Sequence, residues 1–147
     1  MNLKIGDKAP FFEGINEQGE LISLNNFSGK KLILYFYPKN NTPGCTAEAC
    51  NLNDNYEFWL NQGYHIVGVS PDKEESHKKF KEKYSLQFNL IADTEKKILK
   101  SYEAWGEKKN FGRIYDGVLR STFIINEKGI IEEIIRKHLN KDIDNKT

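Results

Sequence analysis

An α/β fold with a mixed central sheet flanked by helices is what this sequence predicts, and three patterns predict it. Short apolar runs rich in β-branched and aromatic residues are bounded by Gly, Pro and polar turns. Segments with apolar residues at helical spacing lie between these runs. Two hairpin signals, NEQGE at 16–20 and NEKG at 126–129, each precede a further apolar run. Strands alternating with helices imply parallel neighbours and right-handed crossovers, and the closing hairpin near 121–137 adds antiparallel strands.

KKLILYFY at 30–37 lies between Gly29 and Pro38 and reads as a strand buried on both faces. YHIVGVS at 64–70 and STFIIN at 121–126 read the same way, and GIIEEIIRK at 129–137 is a fourth strand candidate. After Pro43, apolar residues recur at Ala49, Leu52, Tyr56, Trp59 and Leu60, which predicts a helix ended by Gly63. Residues 74–84 place His77, Phe80 and Tyr84 on one helical face. Residues 94–102 offer Ile98, Leu99 and Tyr102 behind a Thr94 cap. The polar tail at 140–147 is expected to fray.

The 147 residues fit one domain spanning 1–147 and can bury a core without staples. The net charge is +1, with 22 basic and 21 acidic residues, which argues against nucleic acid as a partner. The mixed-sign runs DKEESHKKFKEK and EKKILK read as solvated helix faces. MNLKIGDKAPFF lacks a signal-peptide core, and no apolar run approaches membrane-span length, so a soluble, cytoplasmic protein is expected. In a reducing cytosol, structural disulfides are rare. Two neighbouring thiols there point to catalysis, redox sensing or metal binding.

The chain has two cysteines, Cys45 and Cys50, both in FYPKNNTPGCTAEAC at 36–50. Thr42 suits a helix N-cap and Pro43 the first helical position, which puts Cys45 in the first turn. Unpaired N–H groups there favour a thiolate, the reactive form. Gly44 clears space beside the sulfur. Cys45 is therefore a candidate nucleophile. Five helical residues separate Cα atoms by roughly 8–9 Å, beyond the roughly 4.4–6.8 Å of a disulfide. The two sulfurs could join only if the first turns unwound, so such a bond would be a transient state. Cys50 by itself reads narrowly better as a small apolar side chain. Cys-x4-Cys matches neither a thioredoxin-type Cys-x-x-Cys nor a zinc site. His65, His77 and His138 are scattered and read as ordinary residues, although a cysteine protease would need one of them as a partner.

Pro38, Thr42 and Cys45 fit Pro-x-x-x-Thr/Ser-x-x-Cys, and YFYPKNNTPGCTAEACNLND resembles the active-site segment of the peroxiredoxins. The second cysteine five residues on is similar to the bacterioferritin comigratory protein, or peroxiredoxin Q, class. GDKAPFF, VGVSPD and residues 90–129 continue the likeness to about Arg136. The resemblance implies a thioredoxin-like fold. It also implies a thiol peroxidase acting on hydrogen peroxide and organic hydroperoxides, with no cofactor. Cys45 would be the peroxidatic cysteine and Cys50 the resolving one, joined in an intramolecular disulfide that thioredoxin or a similar dithiol reduces. Arg120 matches the active-site arginine of the family and Glu48 a glutamate of the same polar network. Thr42 would offer a hydroxyl donor and acceptor, and Pro38 would shield the sulfur. Class members are often monomers, and a monomer is expected here. RKHLNKDIDNKT is short and polar, a departure from the C-terminal helix usual in the class. Three rivals are a redox sensor without catalysis, a peroxidase resolving between subunits, and a structural metal module.

Overall fold

A computed structural model of the chain describes residues 2–136. The central element is a seven-stranded mixed sheet. Its strands are β1 (Glu13–Asn16), β2 (Leu21–Ser23), β3 (Lys31–Phe36), β4 (Tyr64–Ser70), β5 (Asn89–Ala92), β8 (Ser121–Ile125) and β9 (Ile131–Arg136). A separate two-stranded sheet pairs β6 (Trp105–Asn110) with β7 (Arg113–Val118). The order in the large sheet is β2-β1-β5-β4-β3-β8-β9. β3, β4 and β5 run parallel, while β1 and β8 flank them antiparallel. Four helices connect the strands: α1 (Pro43–Asp54), α2 (Tyr56–Asn61), α3 (Glu74–Tyr84) and α4 (Lys97–Ser101). Among the described residues, no helix is long and apolar enough to cross a membrane.

The period-two geometry of β3 builds two cores from one run of sequence. Leu32, Leu34 and Phe36 join Val67, Val69, Leu99, Tyr102 and Phe123 on one face. Ile33, Tyr35 and Tyr37 face the other way and join Cys45, Ala49, Ile66, Phe80 and Phe88. The strand therefore sits between two layers, as its continuous apolar run predicts. The second face carries α1, whose Ala49 is buried and whose Leu52 packs on the same cluster as Tyr56 and Trp59 of α2.

Gly68 of β4 permits this arrangement. A Cβ there would stand 2.9 Å from Cε1 and Cζ of Tyr35 and 3.0 Å from Leu90 Cδ2. Tyr35 fills the space above it and stacks on Tyr37 at 5.3 Å. Gly68→Ala is therefore expected to destabilise the protein by about 1–3 kcal/mol, the cost of overpacking a full core. Chemical denaturation measures this; an unchanged midpoint would mean the ring can retreat.

Three expectations need correction. The helix expected from Pro43 through Leu60 is two helices, broken at Asn55, whose φ of −105° and ψ of 16° leave the helical region. NLNDN is poor helix-forming sequence. Asn53 is also drawn outwards: its Nδ2 donates to Ser85 O and its Oδ1 accepts from Gln87 N. Next, α4 begins at Lys97, and Thr94 does not cap it. The Asp93 carboxylate accepts from Ile98 N and Leu99 N at 3.2 and 2.8 Å, reaching the helix from four residues before its start. Last, Thr42 takes the N-cap backbone conformation of α1, but its side chain caps no N–H. The strand candidate at 129–137 is β9, from Ile131 to Arg136. The expected fraying of 140–147 and the question of a C-terminal helix lie outside the described residues.

Candidate active site

The site forms where β3 ends and α1 begins. β3 delivers the chain into the loop Tyr37–Thr42, and Pro38 lies half-buried there. The loop turns through Asn41, whose φ is +65°. Cys45 is the third residue of α1, in the turn whose N–H groups have no helical acceptor. The first helical bond runs from Thr46 N to Thr42 O at 2.8 Å. Packing against the second core leaves Cys45 only 1% exposed.

Arg120 arrives from the other end of the chain. β8 pairs antiparallel with β3, with Ser121 opposite Phe36. That register sets the preceding residue, Arg120, beside the start of the loop. Its Nη2 donates to Cys45 Sγ at 3.1 Å and its Nη1 to Glu48 Oε1 at 2.8 Å. One guanidinium thus forks between a sulfur and a carboxylate, a geometry its fixed planar donors suit. Glu48 lies three residues after Cys45 on α1, so both project from one helical face. Glu48 and Arg120 are largely sheltered, at 12% and 14% side-chain exposure.

The electrostatics follow from burial and proximity. Burial pushes the Glu48 carboxyl up, opposed by the charge and hydrogen bond of Arg120. For Arg120, burial acts downwards, but the neighbouring Cys45 and Glu48 outweigh it and raise its pKa overall. The guanidinium is therefore a fixed cation beside the sulfur. The Cys50 thiol is pushed up, first by partial burial and then by Asp54. Cys50 lies further along α1, and both thiols are free. It is half-buried rather than enclosed, so the reading of Cys50 as merely a small buried side chain does not describe it.

Thr42 makes a different bond from the one expected. Its Oγ1 donates to Lys39 O at 2.9 Å. With the hydroxyl proton directed at that carbonyl, the oxygen keeps its capacity to accept. Cys45, Glu48 and Arg120 are thus brought into contact. Thr42 and Pro38 line the loop that leads to them, and Cys50 stands apart by its helical spacing. Among the described residues no cluster of three His, Cys, Asp or Glu side chains could hold a metal ion.

The ordinary reading of His77 missed a buried polar group behind the loop. His77 is fully buried on α3, and Asn40, inside the loop, is 5% exposed. Its position on the Phe80 face of the helix placed His77 inside, but nothing local in the sequence named its partners.

The profile of the AhpC/TSA family matches residues 5–134. Peroxiredoxin Bcp of Bacillus subtilis is 46% identical over 142 residues, covering 97% of this chain and 90% of that protein. Peroxiredoxin Bcp of Escherichia coli K12 is 41% identical over 132 residues, covering 90% and 85%. Among solved structures, a cysteine-to-serine variant of PrxQ from Xylella fastidiosa superposes with a TM-score of 0.87 at 28% identity, covering 99% of this chain and 96% of that one. The bacterioferritin comigratory protein of Xanthomonas campestris, studied for its alkyl peroxide reduction activity, superposes at 0.85 and 28%, covering 95% and 94%. The mixed sheet and its helices thus have the thioredoxin-type arrangement of these proteins.

Proposed function

Since the chain belongs to the AhpC/TSA family and is a thiol peroxidase of the Bcp and PrxQ kind, we propose that Cys45 reduces hydrogen peroxide and organic hydroperoxides, that Cys50 resolves the product, and that thioredoxin or a similar dithiol restores both. The observation that carries this reading is the Arg120 fork between Cys45 Sγ and Glu48.

The chemistry proceeds from that fork. A guanidinium 3.1 Å from the sulfur sets a fixed positive charge and an N–H donor where negative charge passes through the reaction. The thiolate attacks one peroxide oxygen in line; an S–O bond forms and the O–O bond breaks. The electron pair leaves with the second oxygen, which takes a proton and departs as water or an alcohol. The attacked oxygen keeps its hydrogen, so Cys45 becomes a sulfenic acid. Thr42 Oγ1, which donates to Lys39 O, accepts from that hydrogen and so orients the substrate. Arg120 shares the charge that develops on the departing oxygen, a contribution made by fixed donors in a sheltered site. Glu48 holds the guanidinium in plane, and Pro38 shields the sulfur from bulk water.

Cys50 acts only after a change of backbone. In the intact helix the two Cα atoms are roughly 8–9 Å apart, and Cys50 favours its protonated form. When the first turns of α1 unwind, Cys50 leaves Asp54 and reaches the sulfenic sulfur. The S–S bond forms, the S–O bond breaks, and the oxygen leaves as water with the Cys50 proton. A dithiol reductant then takes the disulfide by exchange and is itself oxidised. A cycle completed within one chain is compatible with a monomer.

Cys50→Ser tests the resolving step. After one equivalent of peroxide, this variant should accumulate Cys45 sulfenic acid and turn over only with an added small thiol. Wild type should show a Cys45–Cys50 disulfide by mass spectrometry and run as a single chain on a non-reducing gel. A disulfide-linked dimer would instead assign resolution to a second subunit.

A further inference from the structure

Behind the β3–α1 loop lies a buried polar cluster that the chemistry above does not use. Its hydrogen bonds determine one another. His77 Nε2 is 3.0 Å from Ile91 O. A carbonyl only accepts, so Nε2 carries a proton. The hydroxyl of Tyr37 donates to Asn40 Oδ1 at 2.6 Å. Asn40 Nδ2 then donates to Ser76 Oγ and to His77 Nδ1, each at 3.0 Å. The ring is therefore the neutral Nε2–H tautomer, with one nitrogen donating and the other accepting. The backbone N–H of Asn40 is also held, by Asp72 Oδ2 at 2.9 Å, and Asp72 Oδ2 accepts from Ser70 Oγ at 2.7 Å.

These bonds converge on the segment that presents the thiol. Asn40 stands two residues before Thr42 and five before Cys45. Tyr37 N donates to Val69 O, and Thr42 Oγ1 to Lys39 O. The loop is thus tied to β4, to the β4–α3 connection and to α3, with Asn40 as the knot. We infer that His77 is a positioning residue for Cys45: by accepting from Asn40, it fixes the loop that presents Thr42 and the first turn of α1 to the peroxide. This rests on the reading of Cys45 as the attacking thiol.

Protonation would break the arrangement. Nδ1 would become a donor facing the Asn40 amide donor, and the contact would survive only if Asn40, Tyr37 and Ser76 exchanged roles together. Three ionisable groups face the ring: Tyr37 at the end of β3, Asp72 after β4, and Glu17 in the β1–β2 turn, itself paired with Lys81 of α3 at 2.8 Å. Burial lowers the pKa of His77, and Asp72, the Ile91 carbonyl and Glu17 oppose it without reversing the direction. Disruption therefore belongs below the ordinary histidine range near about pH 6.5.

The test compares the second-order rate of Cys45 oxidation by hydrogen peroxide in wild type, His77→Gln and His77→Phe, from about pH 4.5 to 7.5. A glutamine amide can donate to Ile91 O and accept from Asn40 without titrating. The rate ratio of wild type to His77→Gln therefore isolates what the titrating ring contributes. The expected ratio of wild type to His77→Gln is constant near neutrality and falls as the pH drops below about 6.5. His77→Phe keeps an apolar ring but removes the acceptor, and should be about tenfold slower than His77→Gln at every pH, since small misplacements of a reacting group cost that much or more. A flat ratio across the range overturns the inference, as does a folded His77→Phe protein with the wild-type rate. If His77→Phe does not fold, the ratio alone decides. Cys45→Ser decides separately whether Cys45 is the attacking thiol, so failure of that reading is distinguishable.

Discussion

Cys45→Ser is expected to remove thioredoxin-coupled peroxide consumption, lowering the rate by more than about 10³-fold, the scale on which loss of a nucleophile is felt. Serine is nearly isosteric, and Cys45 is only 1% exposed within a packed cluster, so the fold should be retained. What disappears, on the proposed mechanism, is the attacking sulfur. An alcohol is too weak an acid to be held as its anion beside one guanidinium, and oxygen is a poor partner for O–O cleavage. Cys50 remains in this variant, but partial burial and Asp54 favour its protonated form, and Arg120 donates to the other sulfur. Stopped-flow peroxide consumption coupled to thioredoxin measures the effect. Residual turnover near the wild-type rate would move the nucleophile elsewhere.

Arg120→Ala is expected to lower the rate of Cys45 oxidation by about 10²–10³-fold, the range seen when one preorganised donor to a developing oxyanion is removed. Two effects combine. The sulfur loses its donor at 3.1 Å, and the Glu48 carboxylate loses its partner at 2.8 Å while still three residues from Cys45 on one helix face. Glu48 then acts on the thiolate as an unscreened like charge. Arg120→Lys should recover little. An ammonium is a point charge and cannot bond the sulfur and the carboxylate through a planar fork. Removing Glu48 as well, in Arg120→Ala/Glu48→Gln, should restore part of the loss by removing the repulsion. The same rate in Arg120→Ala as in wild type would show that the guanidinium is structural only.

Where a feature was local, residue order disclosed it. β3 was legible because a continuous apolar run between Gly29 and Pro38 has few alternatives, and α3 because its apolar face recurs at the helical period. The β6–β7 hairpin escaped notice because its residues are mostly exposed and follow no apolar alternation: WGEKKN faces RIYDGV. β5 is only four residues long. The break at Asn55 and the capping of α4 by Asp93 depend on side chains that bond to neighbouring backbone, which periodicity does not register. In the site, the thiol in a helical first turn was visible from TPGC alone. The place of Arg120 came through the likeness to a family, since a lone arginine before a strand carries no signal of its own.

By itself, the order of residues determined β3, β4 and α3, the position of Cys45 among unpaired N–H groups, and the separation of Cys45 from Cys50. Each depends on backbone geometry over a few residues. Only the tertiary structure decided that Arg120, 75 residues away, reaches the sulfur, and that His77 closes the bonds of Asn40 from 37 residues away. Those meetings depend on which strands pair and in what register. Register is set by burying both faces of a whole sheet at once, a global packing condition that no short stretch of sequence expresses.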